Sequence, residues 1–432
     1  MQRMAGAALS LGFLVVASYS TTTHAQNFSE NNYLTGGWDG LREQWYDKGV
    51  DVSVKYMGDF AHNITGGKRQ VSSYTDQIRF GAYLDLGKLM SWKGATFRLE
   101  IVDRNGDQLN QQAGLPTLMQ FQAIHGNGSV ARLTQFSLEQ NLFDDHMSIK
   151  LGRLYATADF FSFPCAFENL SFCGALPGYI SNGWYSNPLS NYGAVAVFKP
   201  ASEWRFKYGV YDVNPQNRRR DQGLSLITRG KSTGKETLGE VEYMPHFGDG
   251  LDGDYRAGAF HNSSSYFYVV GADGLPADYT LLPRPRVGSE NGYYFRGEQQ
   301  LVGRADANGL RVFFNYSHSD ADISTLDQLV SAGFWWTGLL PSRPSDRLGV
   351  AIGRNHVNGK VTAAQRQYDA ALPAGSSLHI PVQGNEYPIE LNYTFQISPA
   401  ASLMPVMQYV RNANGVGGQN GLVLGARVTL VF

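Results

Sequence analysis

Charged side chains in this chain keep a two-residue rhythm against apolar ones. Arg79 lies between Ile78 and Phe80, and Arg98 and Glu100 alternate with Phe97, Leu99 and Ile101. Glu139, Arg205, Lys207, Glu240 and Glu242 hold the same phase in later segments, as do Arg296, Glu298, Arg347, Glu390, Asn392 and Arg427. Arginine presents several donors in a rigid fork, and carboxylates accept from neighbouring donors. A face carrying both signs can hydrogen-bond polar groups along its length, while its charges hold one another in place. The plainer role for any one of these residues is to solvate a wet wall. Nucleophilic catalysis would need a nucleophile, a base and an orienting group on one surface. His318 precedes Ser319, but both lie beyond a strand end, and the Gly-x-Ser-x-Gly match at Gly230-Lys-Ser-Thr-Gly234 falls in a long polar stretch and not in a strand-to-helix elbow. Enzyme chemistry is therefore not expected, and neither is a cofactor. Cys165 and Cys173 are close together in a polar, glycine-bearing stretch. In an exported protein they read as one disulfide stapling a loop. Without a cluster of histidines beside them they make a poor metal site.

The elements that would position these residues are strands. In the last twelve residues, Leu422, Leu424, Ala426, Val428 and Leu430 share one face, and Gly425, Arg427, Thr429 and Val431 the other. An apolar face with a terminal Phe432 and an arginine opposite is the form of a transmembrane β-barrel strand. The edge strand of a soluble sandwich alternates too, so the rest of the chain has to decide. Arg3, an apolar run over 5–17 and the closing Thr23-His24-Ala25 read as a signal peptide over 1–25, cleaved before Gln26. The run is too short to span a bilayer, and no later segment approaches the roughly 20 apolar residues of a membrane helix. An exported, membrane-embedded chain without such helices must close its backbone hydrogen bonds as a barrel. Composition agrees: 49 glycines, 24 tyrosines and 24 phenylalanines, with only 17% charged residues, suit a strand-rich chain. A net charge of −1 gives no reason to expect nucleic-acid binding.

Sixteen alternating segments can be placed: 50–56, 78–86, 95–102, 132–140, 147–154, 192–198, 204–211, 237–243, 255–260, 293–301, 310–317, 331–338, 347–354, 387–397, 402–411 and 421–432. Long polar stretches at 59–77, 103–131, 155–191, 212–236, 261–292, 318–330 and 355–386 alternate with short turns such as 199–203, 302–309 and 398–401. That asymmetry belongs to outer-membrane barrels, with short periplasmic turns and long extracellular loops. The expectation is an all-β, 16-stranded antiparallel transmembrane barrel over 50–432, wide enough for a water-filled channel. Residues 26–49 form a periplasmic segment. Within it, Leu41, Trp45 and Tyr46 at helical spacing predict a short helix that could close the pore in part or cap its base. Arg153 breaks the rhythm, since Ile149 and Leu151 turn it toward the apolar side where charge is costly. A bulge at Gly152 would resolve this, and Arg153 stays a lumen candidate.

The run Tyr33-Leu-Thr-Gly-Gly-Trp-Asp-Gly-Leu-Arg42 with Asp47-Lys-Gly-Val50 resembles the opening of carbohydrate-selective porins of the OprB type. Leu151-Gly-Arg-Leu-Tyr-Ala-Thr-Ala-Asp-Phe160, Phe167-Glu-Asn-Leu-Ser-Phe-Cys-Gly174 and Tyr208-Gly-Val-Tyr-Asp-Val-Asn-Pro215 are similar to later stretches of that family. So is the closing series at 390–397, 405–411 and 422–432. The family pattern departs at Asp39, where a glycine is usual, and near Val406, where an acid or polar residue is usual. The resemblance implies an outer-membrane pore for monosaccharides, glucose foremost, in a Gram-negative bacterium; a weakly selective general porin is the neighbouring reading. It also implies that the loop at 155–191 folds inward and narrows the barrel. Phe160, Phe161, Phe163, Phe167 and Phe172 would pack it against the inner wall or form a small loop core, in preference to stacking on sugars, and Trp184 and Tyr185 would stack on sugar rings or sit at the outer rim. Arg218, Arg219 and Arg220 would pair with lipopolysaccharide phosphates or be solvated. A homotrimer is compatible with the outward faces, because residues look alike against lipid or against a neighbouring barrel. A secreted lectin would share the sugar chemistry but would need no outward apolar band.

Overall fold

Period-two alternation becomes sixteen long strands among the described residues. The structure is a computed structural model describing residues 28–227, 229–248, 250–280, 282–303 and 308–432. The leader expected at 1–25 lies outside the described residues. The strands are β1 (Val50–Thr65), β2 (Ser72–Asp85), β3 (Ala95–Gly106), β4 (Arg132–Leu142), β5 (Met147–Leu154), β6 (Asn191–Ala201), β7 (Trp204–Val213) and β8 (Gly234–Tyr243). They continue as β9 (Leu251–Asn262), β10 (Glu290–Gln300), β11 (Gly309–Ser319), β12 (Leu326–Thr337), β13 (Arg347–Val357), β14 (Asn385–Ser398), β15 (Ala401–Arg411) and β16 (Gly421–Val431). Each pairs antiparallel with the next, and β16 returns to β1 with Tyr56 opposite Leu430 and Asp59 opposite Arg427. Closure satisfies the backbone groups that an open sheet would leave facing lipid. Among the described residues no helix is long and apolar enough to cross a membrane.

The two faces sort as the alternation requires. Phe60, Ile78, Phe206, Ile352, Met407 and Leu424 are exposed on the outside, while Asp59, Glu240, Arg296, Glu390 and Arg427 are buried within. Two connections expected to be long are short. β1 runs on to Thr65 and β2 begins at Ser72, so most of 59–77 is strand. Gly58, Asp59, His62, Asn63 and Thr65 look like loop residues but stay paired, either facing a wet interior or standing beyond the apolar band. Likewise β11 and β12 extend to Ser319 and from Leu326, shortening the link expected at 318–330.

The predicted N-terminal helix spans Leu41–Asp47, starting after Gly40 at a φ of +86°, a left-handed position that glycine takes without strain. A second helix, Gly359–Ala370, opens the loop between β13 and β14. Apolar packing concentrates inside the barrel, between the chain linking β5 to β6 and the inner wall. A smaller cluster of Leu109, Ala113, Leu115 and Phe121 seats the loop after β3 against Ala61, Val410 and Val423.

Candidate functional site

The segment between β5 and β6 runs through the lumen and is held there by aromatic packing. Phe161 meets Tyr294 with ring centroids 5.5 Å apart, and Phe163 meets Phe313 at 4.9 Å and Trp335 at 6.2 Å. Phe167 lies 5.7 Å from both Phe172 and Phe313, and Phe160 lies 6.4 Å from Tyr211. Tyr211, Tyr294, Phe313 and Trp335 come from inward positions of β7, β10, β11 and β12, which a fully wet wall would not use. Tilted and edge-on rings of this kind contribute beyond their buried area.

Charged wall residues peg the same segment by its backbone. Glu390 accepts from the Glu168 and Asn169 amides at 2.9 and 2.7 Å. Arg427 makes a two-pronged contact with Asp59 at 2.7 and 2.8 Å and donates to the Phe167 carbonyl at 2.9 Å. Glu240 accepts from the Phe161 amide at 2.6 Å and the Tyr294 hydroxyl at 2.8 Å. Cys165 and Cys173 form a disulfide next to this contact, with the Cys165 carbonyl 3.4 Å from Arg427 Nη1. Hydrogen bonds to charged partners are about twice as strong as neutral ones, so a few of them fix the chain path.

An alternating-charge ladder continues around the wall from β4 to β11. Glu139 faces Lys150 at 3.6 Å, and Lys150 reaches Asp159 at 2.6 Å. Glu242 takes Lys207 and Arg256, each at 2.7 Å, and Arg205 at 3.5 Å. Asp254 bridges Arg256 at 2.9 Å and Arg296 at 2.7 Å, Arg296 reaches Glu298 at 2.9 Å, and Glu298 meets Arg311 at 3.1 Å. Each buried carboxylate here faces at least one cation, which offsets the cost of removing it from water.

The wall at β2 and β3 is more open. Arg79 and Glu100 lie 3.1 Å apart with side chains 32% and 15% exposed. The loop approaches this pair through Asn187, whose amide donates to Glu100 at 3.3 Å. Arg98 sits over the Tyr83 ring at 5.3 Å. Lys55 lies within electrostatic reach of Arg79 and Arg427, and Arg347 within reach of Arg427. Half-buried donors and a carboxylate therefore share one side of the passage.

The structure thus splits the sequence-derived candidates into groups. It brings together Arg79, Arg98 and Glu100 on the open side. Glu139, Glu242, Arg296 and Glu298 belong to the ladder, while Glu240, Glu390 and Arg427 hold the loop. Trp184 and Tyr185 correct the stacking expectation. Trp184 is 1% exposed, wedged edge-on against Phe260 and Tyr294 at 5.8 and 5.7 Å. Tyr185 is 4% exposed, with the Arg218 guanidinium 4.7 Å above its ring. Neither presents a face to a solute; both are loop core.

Arg153 is corrected as well. It pairs opposite Phe136 on the outward face, buried near the strand end. It donates to the Ser190 hydroxyl at 3.0 Å and the Ser225 carbonyl at 3.0 Å, and lies 5.6 Å from the Tyr192 ring. Loop carbonyls thus replace the expected bulge, and the register through Gly152 is unbroken. The arginine run is also engaged internally: Arg218 reaches the Asn182 carbonyl, Arg219 pairs with Asp221, and Arg220 reaches the Ser129 carbonyl. Sequence reasoning missed Asp59, Asp254 and Arg256. Asp59 fell inside a presumed loop and Asp254 just before a strand read as starting at 255, while Arg256 lay within that strand but was not singled out.

A closed sixteen-stranded barrel with an infolded loop and a charge-lined interior defines a porin of the Gram-negative outer membrane. Residues 69–432 match the family described as carbohydrate-selective porin, OprB family, and the chain belongs to it. It is 32% identical over 446 residues to Porin B of Pseudomonas aeruginosa, covering 100% of this chain and 98% of that protein. It also superposes on the high-pH structure of Pseudomonas putida OprB with a TM-score of 0.89 at 30% identity, covering 94% of this chain and 99% of that one.

Proposed function

We propose that this carbohydrate porin passes monosaccharides such as glucose, and that the wall formed by Arg79, Arg98 and Glu100 is what they touch. The observation carrying this is the 3.1 Å Arg79–Glu100 pair, half-open beside Asn187 of the infolded loop. A sugar is neutral and carries adjacent hydroxyls, so it needs a donor and an acceptor side by side rather than a field of one sign. The loop supplies the narrowing, because its aromatic core fills the far side of the lumen and leaves the passage against β2 and β3. Residues 1–25 serve as the leader in this reading, and 26–49 as a periplasmic segment. Chemistry at the wall is limited to hydrogen bonding, with no catalytic step.

Planar-bilayer conductance of the purified protein, with glucose, maltose and sucrose titrated into fixed salt, tests the proposal. Saturable block by glucose, weaker for the disaccharides, is the expected result. Conductance indifferent to every sugar would make this a general porin for small hydrophilic solutes.

A further inference from the structure

Along the ladder from β4 to β11 every carboxylate faces a cation, but at β1 and β2 that order breaks. Lys55 stands directly opposite Arg79 in the cross-strand register. Like charges set opposite one another on neighbouring strands are destabilising. The inward carboxylates closest in register are already engaged. Asp59, farther along β1, is clamped by Arg427 at 2.7 and 2.8 Å. Asp51, toward the periplasmic end, interacts with Arg42 and Tyr33. Glu100 meets Arg79 at 3.1 Å. Lys55 is half-buried and makes no ion pair among the described residues, and the charges acting on it most strongly are the cations Arg79 and Arg427. Arg347 on β13 likewise makes no ion pair among the described residues. This part of the lumen therefore carries a surplus of positive charge. Local rules broken without a structural gain mark functional positions.

The wall beside Lys55 is also recessed. Gly81 lies between Ser53 and Glu100 in the register, one inward position from Arg79. A Cβ on Gly81 would meet only Ser53 Oγ within 4 Å, at 3.3 Å, so no side chain fills the space between Ser53 and Glu100. Tyr155, the first residue after β5, faces this recess from the infolded loop, within electrostatic reach of Glu100, Arg79 and Arg98. Lys55 and Glu100 sit on the first and third of three neighbouring strands, roughly 10 Å apart across the wall at about 4.8 Å per strand. Arg79 stands between them and is turned to Glu100. The recess thus has an acceptor at one end, a hydroxyl and a guanidinium in the middle, and an unanswered ammonium at the other end.

We propose that Lys55 is a carboxylate subsite and that the pore takes sugar acids, monosaccharides bearing one carboxylate, in preference to their neutral counterparts. This rests on the reading that sugars touch Arg79, Arg98 and Glu100, and adds to it the solute group that Lys55 meets. The carboxylate of the solute supplies the negative charge that the wall lacks at Lys55, while its hydroxyls lie over Gly81 and bond to Ser53, Arg79 and Glu100. An ammonium donates three hydrogen bonds from one point charge and suits a carboxylate that arrives and leaves. A small anion without hydroxyls would answer the charge but leave the donors and acceptor of the recess unused.

Current block of the full chain in planar bilayers tests the subsite, with glucuronate, glucose and acetate as probes at equal ionic strength. Glucuronate keeps the ring of glucose and differs from it by a carboxylate, and acetate carries the charge alone. Glucuronate should block at about tenfold lower concentration than glucose, the effect of one added charged hydrogen bond, and acetate should not block. Lys55→Met should bring the glucuronate-to-glucose ratio close to one, and Lys55→Arg should keep the wild-type preference. Heat-resistant gel mobility reports whether each variant forms its barrel, and Lys55→Gln carries the test if Lys55→Met does not. A wild-type channel that glucuronate blocks no better than glucose overturns the proposal. So does a preference that survives both Lys55→Met and Lys55→Gln, or block by acetate matching that by glucuronate. Block by glucuronate alone would uphold the subsite and remove the neutral-sugar reading, whereas block by glucose alone would remove the subsite and leave that reading standing.

Discussion

Arg79 and Arg256 are both lumen arginines paired with carboxylates, yet their surroundings give them different work. Arg79 keeps a third of its side chain exposed and meets Glu100 at 3.1 Å. Arg256 is 4% exposed and lies between Glu242 and Asp254. An exposed ion pair contributes about 0–1 kcal/mol, whereas removing one partner of a buried pair costs about 3–5 kcal/mol. Arg79→Ala should therefore leave barrel stability nearly unchanged. It should weaken glucose block by about tenfold, since a hydrogen bond to a charged group is worth about 1.5–3 kcal/mol. Arg256→Ala should do the reverse, lowering resistance to urea unfolding in detergent while glucose block persists in the barrels that remain folded. The pair of measurements separates contact with solute from structural charge pairing; an Arg79→Ala channel blocked like the wild type would remove Arg79 from the sugar path.

At the scale of elements, the infolded loop depends on two kinds of anchor that can be cut separately. Glu390→Ala removes the acceptor for two loop amides, and Phe163→Ala removes the ring packed on Phe313 and Trp335. An aromatic truncation in a packed core costs about 3–5 kcal/mol. Phe163→Ala should let the loop leave the lumen, giving larger and noisier single-channel conductance and protease cleavage within 155–190. Glu390→Ala should show the same phenotype more weakly, and quiet wild-type conductance in both would mean that the loop does not set the bore. The strands themselves were legible because outward Ile78, Phe80, Leu422 and Leu424 alternate with Arg79 and Arg427 in a strict period. The loop's seat was not, because Phe313 and Trp335 sit at inward positions and a period-two reading assigns such positions to water. Trp184 and Tyr185 misled for a related reason: flanking Gly183 and Ser186 look like surface, but the chain around them is covered by the wall. Asp59 was hidden by His62, Asn63 and Thr65, whose types suggest a loop although their backbones remain in the sheet.

The whole molecule is closed by one seam, β1 against β16, and the N-terminal segment is fastened across its periplasmic end. β16 and the terminal Phe432 pair with β1 only from Val54 onward, so the first residues of β1 lack that neighbour. The N-terminal segment occupies this end: the Leu34 amide donates to the Val431 carbonyl at 2.8 Å. Arg42 donates to the Phe432 carbonyl at 3.1 Å and the Gly36 carbonyl at 3.2 Å. Its guanidinium also lies 3.7 Å from the Tyr33 ring centroid and 4.1 Å from that of Trp38. These contacts join the two ends of the barrel chain through a residue that is itself 4% exposed. They point to a fastening role at the seam, not a plug across the bore. Arg42→Ala should cost about 2–3 kcal/mol, the range for charged hydrogen bonds with some cation–π contribution. The readout is a lower temperature at which the folded band on a semi-native gel converts to the unfolded one. Single-channel conductance and glucose block should stay at wild-type values, because nothing in the lumen moves. A clear rise in conductance with unchanged gel stability would reverse the assignment and make the segment an obstruction in the pore.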